Sequence, residues 1–283
     1  MLDIWTAVAV MSALSLGAGW LFFRLLPATG SGQWAVVGLA FAVVAMIYFL
    51  LYGSGQLFWA RFVPVSAAII YTNLAAIFAA IAAGCAGRLP QTPAWRRGLL
   101  SGLLTMAALA AIHWPLLSVA VRPPPQGGDQ WQGDVAQQTS WATCSPAAAA
   151  TLFRGEGIAV SERELIPLCL TDSSGTPTLG LYRGIKLVAE RHRRRVDIVQ
   201  PSLPQLLADD DWPVLLAVEL PFGVEDRRYA DAWGWIPGLG HSVVALGRTV
   251  DGRIAIGDPS AGLEFWRAED LQVLWQGNGI RLR

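Results

Sequence analysis

Acidic residues are missing from a long stretch of this chain: none occurs between Asp3 and Asp129. Charge is scarce everywhere, at 15% of 283 residues against 53% hydrophobic, which excludes an ordinary soluble protein. Cysteine is scarce as well. Three cysteines do not make a disulfide framework, and histidine and cysteine together are too few for a zinc site. The phosphate-loop pattern Gly-x4-Gly-Lys-Ser/Thr does not occur. No metal or organic cofactor is implied.

The formal net charge of zero joins two unlike halves. Residues 1–122 hold six arginines and one acid, a balance of +5, and residues 123–283 hold 15 basic and 20 acidic residues, a balance of −5. The first half contains four uncharged apolar runs, 4–23, 34–52, 62–83 and 99–121. Each is near the roughly 20 residues that a bilayer core requires. They predict a four-helix transmembrane region over 1–122. Arg24, Arg88, Arg96 and Arg97 fall in the first and third connectors, against Arg61 and Arg122 on the opposite side. The positive-inside rule then puts both termini, and everything after residue 122, outside the cytoplasm of a multi-pass, expected bacterial, inner membrane. Leu26-Pro27-Ala28-Thr29-Gly30 matches a sortase sorting signal, but it stands between spans, where it is a chance match. His113, inside the fourth run, reads as a neutral histidine near the membrane edge or bonded to a neighbouring helix.

Pro123-Pro124-Pro125-Gln126-Gly127-Gly128 opens a linker, 123–133, that prolines make extended. The remainder, 134–283, has the size of one domain. Its first part reads as helices over 146–155, 161–170 and 179–194, with Ser161 and Glu164 as a capping box. Its second part reads as strands over 196–199, 213–220, 242–246, 253–256 and 279–282. Helices followed by an antiparallel sheet predict an α+β domain. The run Arg191-His192-Arg193-Arg194-Arg195 falls at a helix end, where cations are favourable, and reads as a solvated cap; no nucleic-acid partner is implied.

Thr143-Cys144-Ser145-Pro146, followed by four alanines, places Cys144 on the first turn of a helix. The N–H groups and dipole there favour the thiolate, the nucleophilic form. Cys169 sits in an apolar segment and reads as a buried, inert thiol. His241 precedes one strand and Asp258 follows the next, and Asp251-Gly252 between them is a hairpin signal. The hairpin carries both to one end, where Asp258 can fix the tautomer and orientation of the His241 ring. Gln138, six residues before Cys144, can place its amide against a developing oxyanion, with the Cys144 backbone N–H as second donor. The long loop 221–240 leads into His241 and carries four aromatic residues.

Taken in order, Gln138, Cys144, Pro146 with its apolar helix, His241-Ser242-Val243-Val244, and Asp258-Pro259 resemble the bacteriocin-leader-processing cysteine peptidases. The closing Trp275-Gln276-Gly277 segment is similar too. That papain-like family cuts after a double glycine in leader peptides. The resemblance covers about 134–283 and departs at Ser145, where the family has glycine. It implies a papain-like peptidase domain, cleavage of an extended peptide or protein segment after small residues, and a separate exporter as partner, since peptidase domains of this family are often fused to one. Two rival expectations are an inactive peptide-binding domain on a membrane scaffold, and an acyl-transfer enzyme that resolves the same thioester with an amine.

Overall fold

The computed structural model describes residues 2–27 and 32–283. Residues 28–30 of the sorting-signal match lie outside them. The chain divides into two compact units, Met1–Val121 and Arg122–Arg283, and each stands on its own below.

The first unit holds α1 (Leu2–Leu25), α2 (Gln33–Tyr48), α3 (Ala68–Tyr71), α4 (Leu74–Ala86) and α5 (Ala94–Val121). A π-helical turn, Phe49–Gly53, extends α2, and a 3-10 turn, Leu57–Arg61, follows it. Four stretches among the described residues are long and apolar enough to cross a membrane: Leu2–Leu25, Gln33–Gly53, Ala68–Ala86 and Ala94–Val121. Two differ from expectation. The third does not begin at Phe62, because Pro64 lacks an N–H and residues 62–67 are irregular. It is also broken after Tyr71. There Thr72 Oγ1 donates to the Ala68 carbonyl at 2.8 Å, and Asn73 Nδ2 donates to the Ala111 carbonyl at 2.9 Å. The fourth begins at Ala94, so Arg96 and Arg97 lie on the helix rather than in a connector. His113 bonds within its own helix, Nδ1 to the Leu109 carbonyl at 2.8 Å, and not to a neighbour.

Helix α4 packs against α1, α2 and α5. Its sequence explains this: alanine and glycine on every side let backbones approach closely. A β-carbon on Gly84 would stand 2.2 Å from the Gly19 carbonyl oxygen, and one on Gly19 would stand 2.6 Å from that of Ala80. Large apolar side chains such as Trp5, Trp20, Phe41 and Met106 remain exposed on the outer helices.

The second unit begins with a two-stranded ribbon, β1 (Gln130–Gln132) and β2 (Val135–Gln137). The stretch 123–133 is therefore no free spacer: it lies within this unit, contains β1, and donates from Gly128 N to the buried Glu162 carboxylate at 2.7 Å. Three helices follow, α6 (Cys144–Gly155), α7 (Glu162–Leu168) and α8 (Thr178–Arg191). Ser161 and Glu164 form the expected capping box on α7. Then come β3 (Val196–Val199), α9 (Leu203–Asp209), β4 (Val214–Glu219), α10 (Arg228–Asp231), β5 (Gly240–Arg248), β6 (Ile254–Asp258), β7 (Gly262–Trp266), α11 (Ala268–Leu274) and β8 (Trp275–Leu282).

The order helices-then-sheet gives the α+β unit anticipated. One antiparallel sheet runs β3-β8-β4-β5-β6-β7. Side chains alternate across it. Val214, Leu216 and Val218 share one face with Val243, Ala245, Ile254, Ile256 and Trp266 in a hydrophobic core. Leu215 and Val244, on the other face, are equally buried, and there Gly257 leaves room for the Thr151 methyl of α6. Burial on both faces accounts for the continuous apolar run of β4.

Candidate active site

Cys144 is the first residue of α6, one position earlier on the helix than Ser145 and two before Pro146. The loop that delivers it is pinned at several points. Glu162 accepts from Thr139 N at 2.8 Å and Thr139 Oγ1 at 2.9 Å, and Thr143 Oγ1 donates to the Ser140 carbonyl at 2.9 Å. These bonds satisfy backbone groups that a buried loop would otherwise leave orphaned. Gln138 N donates to the Pro259 carbonyl at 2.9 Å, which ties the same loop to the turn after β6.

His241 and Asp258 stand closer to the sheet than expected: His241 is the second residue of β5, not a residue before it, and Asp258 is the last of β6, not one after it. Pairing of Val244 with Gly257 sets Asp258 diagonal to His241 on one face. There His241 Nε2 donates to Asp258 Oδ1 at 3.0 Å. The same oxygen accepts from Ser260 N at 2.7 Å and Ser260 Oγ at 2.6 Å, so the turn chemistry of Asp258 and its contact with the imidazole coexist. Asp258 fills one ring nitrogen and leaves Nδ1 for the thiol. Trp235 meets the ring edge-on, with centroids 5.5 Å apart.

The electrostatics couple the three groups. Burial pushes the Cys144 thiol up, but the hydrogen bond and charge of His241, the Ser145 hydroxyl and the Ser242 backbone outweigh it and hold the thiol below its ordinary value. Burial disfavours the imidazolium, yet hydrogen bonds to Asp258 and Cys144 raise His241 to about 10. Asp258, despite its burial, is held low by the same imidazolium and by Ser260. An opposite charge within bonding distance favours ionised forms on both sides. Cys169 is the contrast: fully buried beside Gly184, it is pushed up to about 12. All three cysteines are free thiols.

A cleft of about 440 Å³ opens over Cys144, His241 and Asp258. Gln138 lines it too, and its Oε1 is buried without a hydrogen-bond partner among the described residues. The loop 221–240 contributes Trp233, Trp235, Ile236 and Leu239 to the walls. It folds back onto the core through Tyr229, 2% exposed, within the short helix α10.

Sequence reasoning missed two further features. Ser145 Oγ and Ser242 Oγ lie 2.8 Å apart, a bond that joins α6 to β5 one residue beyond each of Cys144 and His241. Ser145 Oγ also lies 3.9 Å from Cys144 Sγ. Glu264, on β7, lines the cleft as well.

No family model matches the chain. An uncharacterized protein of Methanothermobacter marburgensis is 47% identical over an alignment of 98 residues that covers 29% of this chain and 69% of that protein. Among solved structures, the peptidase domain of Streptococcus ComA, a bi-functional ABC transporter involved in a quorum-sensing pathway, aligns with a TM-score of 0.40 and 22% identity, covering 52% of this chain and 96% of that one. A double glycine motif protease from an AMS/PCAT transporter, solved in complex with the leader peptide, aligns with a TM-score of 0.41 and 15% identity, covering 57% and 96%. Overlaps of this size leave the reading of the site to its own geometry.

Proposed function

We propose that this chain, which belongs to one family with that Methanothermobacter protein, is a membrane-anchored cysteine endopeptidase of papain-like type. One observation carries the reading: a thiol on the first residue of a helix is held low by a buried histidine, whose far nitrogen bonds a buried carboxylate at 3.0 Å. Nucleophile, base and orienting acid are each within reach of the next, the arrangement that covalent acyl transfer requires.

In this reading the Cys144 thiolate attacks a peptide carbonyl, and the carbonyl electrons move onto oxygen. Gln138 stabilises that oxyanion. Its backbone N–H bond to the Pro259 carbonyl anchors the residue, and with Oε1 the buried atom of the amide, Nε2 is the donor toward the cleft. Collapse of the intermediate breaks the C–N bond, and the His241 imidazolium gives its proton to the leaving amine. Water, deprotonated by His241, then hydrolyses the thioester and frees Cys144. Asp258 keeps Nε2 protonated throughout. The chemistry needs no cofactor from the solvent.

The substrate is an extended peptide or leader segment with small residues before the cut, delivered to or from a separate exporter. In this reading the four long apolar stretches anchor the enzyme, and the arginine excess at the α1 end and the α5 start supports a second unit outside the cytoplasm.

The test is the pH dependence of Cys144 alkylation. In the wild type the rate climbs through the depressed thiol value and stays level until His241 loses its proton near about 10. His241→Ala removes the counter-charge and leaves the burial, so the climb shifts above the free-thiol value and the rate at pH 7 falls roughly tenfold or more. Superimposable profiles with and without His241 refute the pairing. Cys144→Ala abolishes turnover in the same reading, and Cys169→Ala does not.

A further inference from the structure

We infer that Glu264, together with the indole of Trp235, forms a cation subsite of the cleft that takes the ammonium or guanidinium of a basic residue next to the scissile bond. The inference rests on the peptidase reading above and adds a substrate preference to it.

Pairing of Asp258 with Gly262 and of Ile256 with Glu264 puts Glu264 on the sheet face that carries His241 and Asp258. It lines the cleft with them. Its carboxylate is held in place: Oε2 accepts from Trp266 Nε1 at 2.9 Å, and Trp266 is 1% exposed. Trp233 stacks on Trp266 at 5.9 Å, and Trp235 meets it edge-on at the same distance. The bond to Trp266 occupies one oxygen. Oε1 has no partner among the described residues, and no lysine or arginine pairs with Glu264 there. Other acids of this unit are matched with arginine: Asp270 with Arg228, Asp251 with Arg253, Asp211 with Arg281.

The surroundings favour a cation for three reasons. Burial and the nearby Asp258 disfavour a negative Glu264 by more than the Trp266 bond and the His241 charge favour it, a condition that an incoming positive charge relieves. With Cys144 as thiolate, the His241 imidazolium and Asp258 leave one negative charge, and Glu264 adds to it. The indole of Trp235 attracts ammonium and guanidinium groups; that of Trp233 already carries the Arg228 guanidinium, 5.3 Å from its centroid, and stacks on Trp266. His241 gives its proton to the leaving amine, so a subsite on its own sheet face lies on the leaving-group side of the bond.

The experiment needs no identified substrate. The full-length protein is treated with methanethiosulfonates that differ in charge: the cationic 2-aminoethyl, the neutral methyl and the anionic 2-sulfonatoethyl reagent. Rates are followed at Cys144 by peptide mapping. Dividing by the neutral rate cancels any change in thiolate fraction. In Glu264→Gln the cationic-to-neutral ratio falls at least about fivefold, the scale of one charge lost a few ångströms away at intermediate dielectric. In Glu264→Lys the anionic reagent becomes the faster of the two charged ones. A ratio unchanged by Glu264→Gln overturns the subsite. Should that variant fail to fold, the wild-type ratio decides: it exceeds that of free cysteine if the subsite exists, and equality overturns it. Failure of the peptidase reading registers elsewhere, as an alkylation profile indifferent to His241, while the charge ratio still reports on Glu264.

Discussion

The two units of this protein are held together in opposite ways. In the first, the central helix is stripped of side chains, and bulk lies outside: α4 buries mostly alanine and glycine, while tryptophan, phenylalanine and leucine stand exposed on α1, α2 and α5. In the second, bulk is inside and polar groups are buried mostly with partners. Glu162 braces the loop before Cys144, Asp258 accepts three hydrogen bonds, and Ser145 meets Ser242 across two elements. Where the surroundings are as apolar as the side chains, burying them gains little, and close backbone approach decides the fit. Where the surroundings are water, apolar burial drives folding and polar bonds fix geometry. The first unit is therefore vulnerable to added atoms and the second to removed ones.

Beyond Cys144 and His241 themselves, the largest effect expected from removal is at Gln138. Gln138→Ala lowers kcat by about 10²–10³ with KM little changed, because the proposed bond forms only in the transition state. A rise in KM alone would make Gln138 a binding residue and blunt the contrast between the units. Addition to the first unit comes next. Gly84→Val places carbon where the Gly19 carbonyl already stands, and overpacking of this kind costs about 1–3 kcal/mol. Thermal unfolding in detergent should show the loss, while Gly98→Ala, at an open position on α5, should be nearly silent. Equal losses at both sites would break the close-packing argument. The smallest effect is at the hydroxyl bridge. Ser145→Ala removes about 1 kcal/mol of hydrogen bonding, lowers turnover a few-fold, and moves the alkylation midpoint of Cys144 upward. A midpoint that stays fixed would reduce the bridge to packing.

Much of this was legible in the residues themselves. Cys144 before Ser145-Pro146 and four alanines announces a helix start, and Asp251-Gly252 announces the hairpin that joins His241 to Asp258. These are local signals with local causes. Glu264 was not legible, because β7 inverts the usual alternation: its glutamate faces the cleft while Leu263 and Phe265 are exposed. An edge strand with apolar residues outward does not read as a strand. The break at Thr72 and Asn73 was hidden for a different reason. Hydropathy averages over a window, and two polar residues that bond carbonyls at residues 68 and 111 hardly change the average. The bridge between Ser145 and Ser242 joins residues 97 positions apart, and nothing along the chain pairs them.

The strand order of the sheet has a consequence for timing. β8 lies between β3 and β4, and β3 has no other neighbour. As the chain grows, β4 and β5 can pair early, yet β4 keeps an open edge and β3 stays unpaired until residues 275–282 emerge. Open edges invite wrong partners during synthesis. The same order means that the sheet beneath His241 is finished only once β8 has been made. In the peptidase reading, His241 and Asp258 meet through the β5–β6 pairing alone, and β8 then fixes the sheet that holds them.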